Sequence, residues 1–230
     1  MRIPLTLVAA AALTTLAATA APAATREFPA RDFSQVDLRA AADVTIRTGA
    51  GFSVHADGDP KLVDRLTADV RQGVLVLGWT QGPSIHNNGR NLDVTITMPR
   101  TTSVALGGAG SIALDHGSGP AFGANVGGAG SIKIASLDAE RTILSMGGAG
   151  EIVVAGRTGT LVADGSGVGS IDARALAAKS GRVTLSGTGH VRAHIDGPVD
   201  VSLSGVGHVT IDGHPTCAVH KSGLGGIDCG

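Results

Sequence analysis

Tyrosine is absent from this chain of 230 residues, and aromatic side chains make up only 2% of it. The five aromatics are Phe28, Phe33, Phe52, Trp79 and Phe122. Charge is scarce as well, at 16%, and nearly balanced, with 18 basic and 19 acidic residues. Nucleic-acid binding asks for a basic excess and stacking platforms, so both shortages argue against it. Cysteine occurs twice, with no Cys-x-x-Cys spacing and no companion ligands of the kind a zinc or redox site needs. Beyond the first residues, no apolar run is long enough to cross a bilayer as a helix. What is abundant points elsewhere. Hydrophobic residues reach 43%, whereas a disordered chain is poorer in Val, Ile and Leu and richer in net charge.

Glycine is the surplus. The chain holds 35, about twice the usual ~7% share. They follow no three-residue period, which excludes a collagen triple helix. Seven lie before residue 100 and 28 from Gly107 onward, while four of the five aromatics show the opposite bias.

The N-terminus reads as an address. Met1-Arg2 is a minimal positive region, Leu5 to Ala21 an apolar run, and Ala21-Pro22-Ala23 a small-x-small cleavage site. The run is too short and too rich in Ala and Thr for a membrane anchor. Residues 1–23 are therefore expected to be a cleaved signal peptide, placing the mature chain in the periplasm or outside the cell. No Cys follows the run, so no lipid anchor is expected.

A repeat organises the second half. A Gly-x-Gly triplet preceded by Gly or Ser occurs seven times, its glycines being Gly108 and Gly110, Gly128 and Gly130, Gly148 and Gly150, Gly167 and Gly169, Gly187 and Gly189, Gly205 and Gly207, Gly223 and Gly225. The steps are 18 to 20 residues, a period that means a solenoid or array. Two residues after each triplet stand Ile112, Ile132, Ile152, Ile171, Val191, Val209 and Ile227. Two further on stand Leu114, Ile134, Val154, Ala173, Ala193, Ile211 and Cys229. Four before each triplet stand Val104, Ala124, Leu144, Ala163, Val183, Val201 and Val219. The intervening residues are mostly small or polar. This alternation marks strands with one buried face, joined at a glycine corner.

No repeat buries its own apolar face, so coils must stack, each strand pairing with its equivalent one coil on at ~4.8 Å. Seven coils predict a rod of roughly 34 Å. The period is too short for propeller blades and lacks the Asn ladder of leucine-rich repeats. The expected fold is all-β: a right-handed parallel β-solenoid (β-helix) with a short N-terminal helix excursion. Before the repeats, Asp43–Thr48, Phe52–Ala56, Val74–Leu77 and Leu92–Met98 read as strands. Asp59 followed by Pro60 opens a short helix to Leu66. Gln81 to Asn91 reads as a loop. No linker separates the halves. One domain over 24–230 is expected, irregular over 24–100 and repetitive over 101–230, its aromatics and helix capping one end of the stack.

The ordered set Phe33-Ser34-Gln35-Val36-Asp37, Asp43-Val44-Thr45-Ile46-Arg47-Thr48-Gly49, Val94-Thr95-Ile96-Thr97-Met98-Pro99 and repeated Gly-Ala-Gly-x-Ile resembles the putative auto-transporter adhesin, head GIN domain family. The resemblance spans about Phe28 to Gly230 and implies a parallel β-solenoid in exported bacterial proteins. Members commonly carry Asp directly after the triplet. Here that column is Ser111, Ser131, Glu151, Ser170, His190, His208 and Gly226, so no Asp ladder carries over. With the last repeat running to the final residue, no membrane-barrel segment is expected.

Cys217 and Cys229 both fall in the last repeat at positions of inward parity, and a disulfide closing that coil is expected in an oxidising compartment. Other candidates are weaker. The glycine triplets lie between strands, not at the strand-to-helix turn a dinucleotide fingerprint needs. His190 and His208 share a repeat position on neighbouring coils, with His194 and His214 nearby, and could share a metal or form a pH-sensitive patch; the plainer reading is a solvated polar column. Asp172, Asp196, Asp200, Asp212 and Asp228 read as scattered singly, without the acidic-basic cluster of a pectate-lyase-like site. No catalytic residue and no cofactor is expected. The expected function is a non-catalytic, adhesin-like interaction module of the envelope or surface, with small polar outward columns suited to a glycan or an envelope protein. The alternatives are a polysaccharide-active lyase or hydrolase, which needs an acidic-basic cluster in a groove, and a passive structural component.

Overall fold

The computed structural model describes residues 23–80 and 92–230. The expected signal peptide, apart from its last residue, and the loop expected over 81–91 lie outside these. Of the described residues 76% are strand, with one short helix among them, and they form a parallel β-solenoid of about 6 turns. Seven triplets bound six turns, about 29 Å of the stack at ~4.8 Å each. Among the described residues no helix is long and apolar enough to cross a membrane.

The repeats form the regular part. Strands β9 (Ala109–Val126), β10 (Ala129–Met146), β11 (Ala149–Gly165) and β12 (Val168–Leu185) each run nearly a whole coil as one bent strand. The following coils are split into β13 (Thr188–Ile195), β14 (Pro198–Leu203), β15 (Val206–Asp212), β16 (Thr216–Lys221) and β17 (Leu224–Cys229). All pair in parallel, coil upon coil. Ile112, Ile132, Ile152, Ile171, Val191 and Val209 stand in one register and are fully buried. The column Val104, Ala124, Leu144, Ala163, Val183 and Val201 is buried likewise. Each such aliphatic side chain contributes ~1.5–3 kcal/mol on burial, which is how the stack holds without aromatic anchors. Val219 departs from the pattern: at 47% exposure it stands open on the last coil.

Hydrogen bonding continues through the glycine corner. The Val126 carbonyl accepts from both Gly147 and Gly148 N–H at 2.9 Å, and the Met146 carbonyl from Ser166 and Gly167 at 2.9 Å. Differences in coil length are absorbed at another corner, where the register slips between Ile134 and Leu137, Val153 and Ala155, and Ala173 and Ala177.

The N-terminal part departs from simple sequential stacking. Of its strands β1 (Ala24–Phe28), β2 (Gln35–Leu38), β3 (Ala41–Thr48), β4 (Ser53–Gly58), β5 (Leu66–Arg71), β6 (Val74–Trp79), β7 (Leu92–Met98) and β8 (Ser103–Leu106), the pair β2–β3 forms an inner coil. It lies between β6 and β7 on one side and β8 and β9 on the other, parallel to all four. The outermost layer is antiparallel, through β1–β4, β4–β7 and β5–β6. Strand β5, absent from the sequence reading, comes from a tight hairpin. Gln72 (φ 52°) and Gly73 (φ 78°) both lie at positive φ, as a two-residue type I′ connection requires. Helix α1 (Pro60–Arg65) begins where expected, with the Asp59 side chain accepting from Lys61 N at 2.9 Å. Leu62 and Val63 bury its inner face. Phe33 packs on Phe52, ring centroids 5.1 Å apart. One contiguous core runs from Phe28 to Ile211.

Candidate functional site

A concavity lies on the corner where the register slips. It is a groove of about 660 Å³. Its floor is the ladder Gly119, Ala139, Thr158 and Ala178, whose side chains are small and, for the last three, buried. Below it Thr142 Oγ1 donates to Thr158 Oγ1 at 2.9 Å, so the one polar side chain of the floor is satisfied from within. Asp138, Arg157 and Ala177 stack in register along one wall, and His194 continues their ladder beyond it. Glu140, Gly159, Lys179 and Asp196 line the other side. A glycine at Gly159 is required by approach, since a Cβ there would lie 2.6 Å from the Glu140 carbonyl oxygen. A second concavity of about 320 Å³ adjoins it, lined by Arg141, Thr160, Ser180, Arg182 and Asp200 among others.

The charges in the groove are mostly partnered. Arg157 pairs with Asp138, holding that carboxyl below the ordinary range and raising the guanidinium. Asp196 Oδ1 accepts from His214 N at 3.0 Å and lies 3.1 Å from His214 Nδ1, while its Oδ2 is 3.4 Å from His194 Nε2. The hydrogen bonds from His214 lower the Asp196 carboxyl. Among the described residues Glu140 and Lys179 make no ion pair; both are exposed. Such a mixed, narrow, polar-walled channel over an uncharged floor can hold an extended ligand by hydrogen bonds to several groups at once.

This corrects the reading of the acids as singly scattered. Asp196 joins Asp138 and Glu140 in one groove with Arg157 and Lys179. Asp172 is paired with Arg174 (2.6 Å), whose hydrogen bond lowers it, Asp200 with Arg182 (3.2 Å) and Asp228 with His208 (3.2 Å). The signal in the sequence was present: Asp138 and Arg157 stand one repeat apart with opposite charge, and Glu140 and Lys179 two repeats apart.

His190 and His208 are register partners and both exposed. Among the described residues no group of three His, Cys, Asp or Glu side chains is placed to hold a metal ion. The glycine corners stack backbone to backbone. A Cβ at Gly108 would strike the Ala40 carbonyl, and one at Gly128, Gly148, Gly167, Gly187, Gly205 or Gly223 would strike the carbonyl one coil back. The second glycines, from Gly110 and Gly130 through Gly150, Gly169, Gly189 and Gly207 to Gly225, are crowded in the same way. Between them runs a column the sequence reading treated as part of a small polar lattice. Ala109, Ala129, Ala149, Val168, Thr188, Val206 and Leu224 are all exposed, Val168 at 61% and Leu224 at 73%. This outward column is apolar but for Thr188, and it is exposed because the glycines on both sides leave its side chains nothing to pack against. Cys217 and Cys229 form the disulfide, Cα atoms 6.6 Å apart.

The family model described as "Putative auto-transporter adhesin, head GIN domain" matches residues 32–215. No curated protein matches the chain. Among solved structures, a putative adhesin from Bacteroides fragilis NCTC 9343 superposes with a TM-score of 0.80 at 22% identity, covering 90% of this chain and 97% of that one. A putative lipid binding protein from Parabacteroides distasonis ATCC 8503 gives 0.62 at 17% identity, covering 89% and 96%. A putative adhesin from Parabacteroides merdae ATCC 43184 gives 0.60 at 15%, covering 90% and 96%. At these identities the likeness is one of fold.

Proposed function

The chain belongs to the auto-transporter adhesin head GIN domain family, and from that premise we propose that it is a non-catalytic surface-interaction module whose binding site is the groove walled by Asp138, Arg157, Lys179 and Asp196. The carrying observation is the groove itself: about 660 Å³, elongated across successive coils, with repeated polar groups along both walls. Its ladder spacing of ~4.8 Å sets hydrogen-bonding groups at intervals along the solenoid axis, which suits a polymer, and a glycan above all. The Cys217–Cys229 disulfide fits an oxidising compartment, in line with export on a leader at residues 1–23. A continuous core among the described residues supports reading 24–230 as one domain.

The enzymatic reading is favoured by one observation, the acidic and basic groups gathered in the groove. Against it, Asp138 is engaged by Arg157 and Asp196 by His214 and His194, so neither is poised as a free base. A glycan array probed with the wild type and with the Arg157→Glu/Lys179→Glu variant tests the proposal. The wild type is expected to bind a glycan class that the variant loses at unchanged thermal stability. Equal binding by both, or cleavage of the bound glycan by the wild type, overturns it.

A further inference from the structure

Three histidines stand around the groove at its two ends. His194 continues the Asp138–Arg157–Ala177 ladder, and His214 reaches Asp196 from one coil further on. His116, hydrogen-bonded through Nδ1 to Ser136 Oγ at 3.4 Å, lies near enough to Asp138 to act on its charge. With these imidazoles neutral, the lining carries three carboxylates against Arg157 and Lys179, a net charge of −1. With all three protonated, the lining and the histidines around it together carry +2. Histidine changes charge between about pH 5 and 8, so the sign of the groove reverses within that range. The neighbouring groups do not cancel the change. Asp115 adjoins His116 and Asp212 faces His194 in the ladder, while Arg174 is taken up by Asp172 and Arg192 stands beside that pair; with these counted the net runs from −2 to +1, so the sign still reverses.

We infer that the groove is an acid-promoted site for a polyanionic glycan, one carrying sulfate or carboxylate groups along its length, which it holds at mildly acidic pH and releases near neutrality. The argument rests on the groove being the interaction site. Protonated His194 and His214 compensate Asp196, and Arg157 with His116 compensates Asp138. Lys179 and the surplus imidazolium charge are then left to meet the ligand's anions. The groove spans five coil levels, from Gly119 to Asp196, or about 19 Å at the ladder spacing. That length takes several sugar residues, so charge on a polymer is counted several times over, where a single small anion is counted once.

Calorimetry with a sulfated dextran oligosaccharide, which stays ionised throughout, and with unsulfated dextran of equal length tests the inference at about pH 5 and about pH 7.5. The sulfated probe should bind the wild type at least about tenfold more tightly at the lower pH. The His116→Gln/His194→Gln/His214→Gln variant should lose that difference, and Lys179→Glu should lose binding at both pH values. Equal affinity at the two pH values, with loss in Lys179→Glu, overturns the acid dependence and leaves the groove as the site. Binding that Lys179→Glu does not alter overturns the groove reading as well. Binding of unsulfated dextran alone overturns the anionic class, as does binding of neither probe.

Discussion

His214 closes on Asp196 across a coil boundary, with its backbone N at 3.0 Å and its Nδ1 at 3.1 Å from the same carboxylate oxygen. The contact ties the segment after β15 to the end of β13 at the groove. It also holds the Asp196 carboxyl below the ordinary range, first through the side-chain and then through the backbone hydrogen bond of His214. The stabilisation this provides is present above the unfolded Asp value of about 3.9 and is lost as the pH falls through the lowered folded value. An NMR titration of the side-chain carboxyl should therefore place the Asp196 midpoint below about 3.9, and His214→Ala should move it upward. A midpoint unchanged by His214→Ala would contradict the assignment.

Neighbouring glycines at one corner should differ sharply in their tolerance. A Cβ on Gly127 meets only Asn125 Oδ1, at 3.6 Å, an ordinary contact. A Cβ on Gly130, whose φ is 143°, falls against the Gly110 backbone. Gly127→Ala is expected to leave the urea midpoint near that of the wild type, whereas Gly130→Ala destabilises by more than about 1 kcal/mol. Equal effects at the two positions would show that the corner is not closed by backbone contact.

The disulfide should protect one end of the stack selectively. Cys217 and Cys229 are 12 apart in sequence, and closing such a loop is worth about 3 kcal/mol in chain-entropy models. Among the described strands, β16 and β17 pair with a neighbouring coil on one side only. In Cys217→Ser/Cys229→Ser, hydrogen exchange should accelerate in β16 and β17 and leave the β10–β11 ladder unchanged. Uniform acceleration along the whole solenoid would count against this local role.

The repeat was legible because its parity and period coincide. Ile132 and Ile152 are one repeat apart, in register and buried, as alternation about a fixed corner demands. The N-terminal layer was less legible. The placement of β2–β3 between elements that follow them is a matter of long-range pairing, which local alternation does not encode. Hairpin strand β5 escaped because three of its residues, Asp69, Val70 and Arg71, are exposed and show no buried face. The groove escaped for another reason. Asp138 and Arg157 lie where coil lengths vary, so a fixed period does not align them, and only the bulges bring them into one ladder. Charge opposition about one repeat apart between Asp138 and Arg157, and two repeats apart between Glu140 and Lys179, was the local trace. The exposed column through Val168 and Leu224 was hidden by its small members, since three of its seven residues are alanines.

Chemical-shift mapping with a bound glycan oligomer tests the central claim, that the module engages its partner through this groove. The account predicts amide perturbations concentrated at 138–140, 157–159, 177–179 and 196, shared across successive coils. Perturbations confined to the Gly-x-Gly corner around Val168 and Val206, with the groove silent, would contradict it.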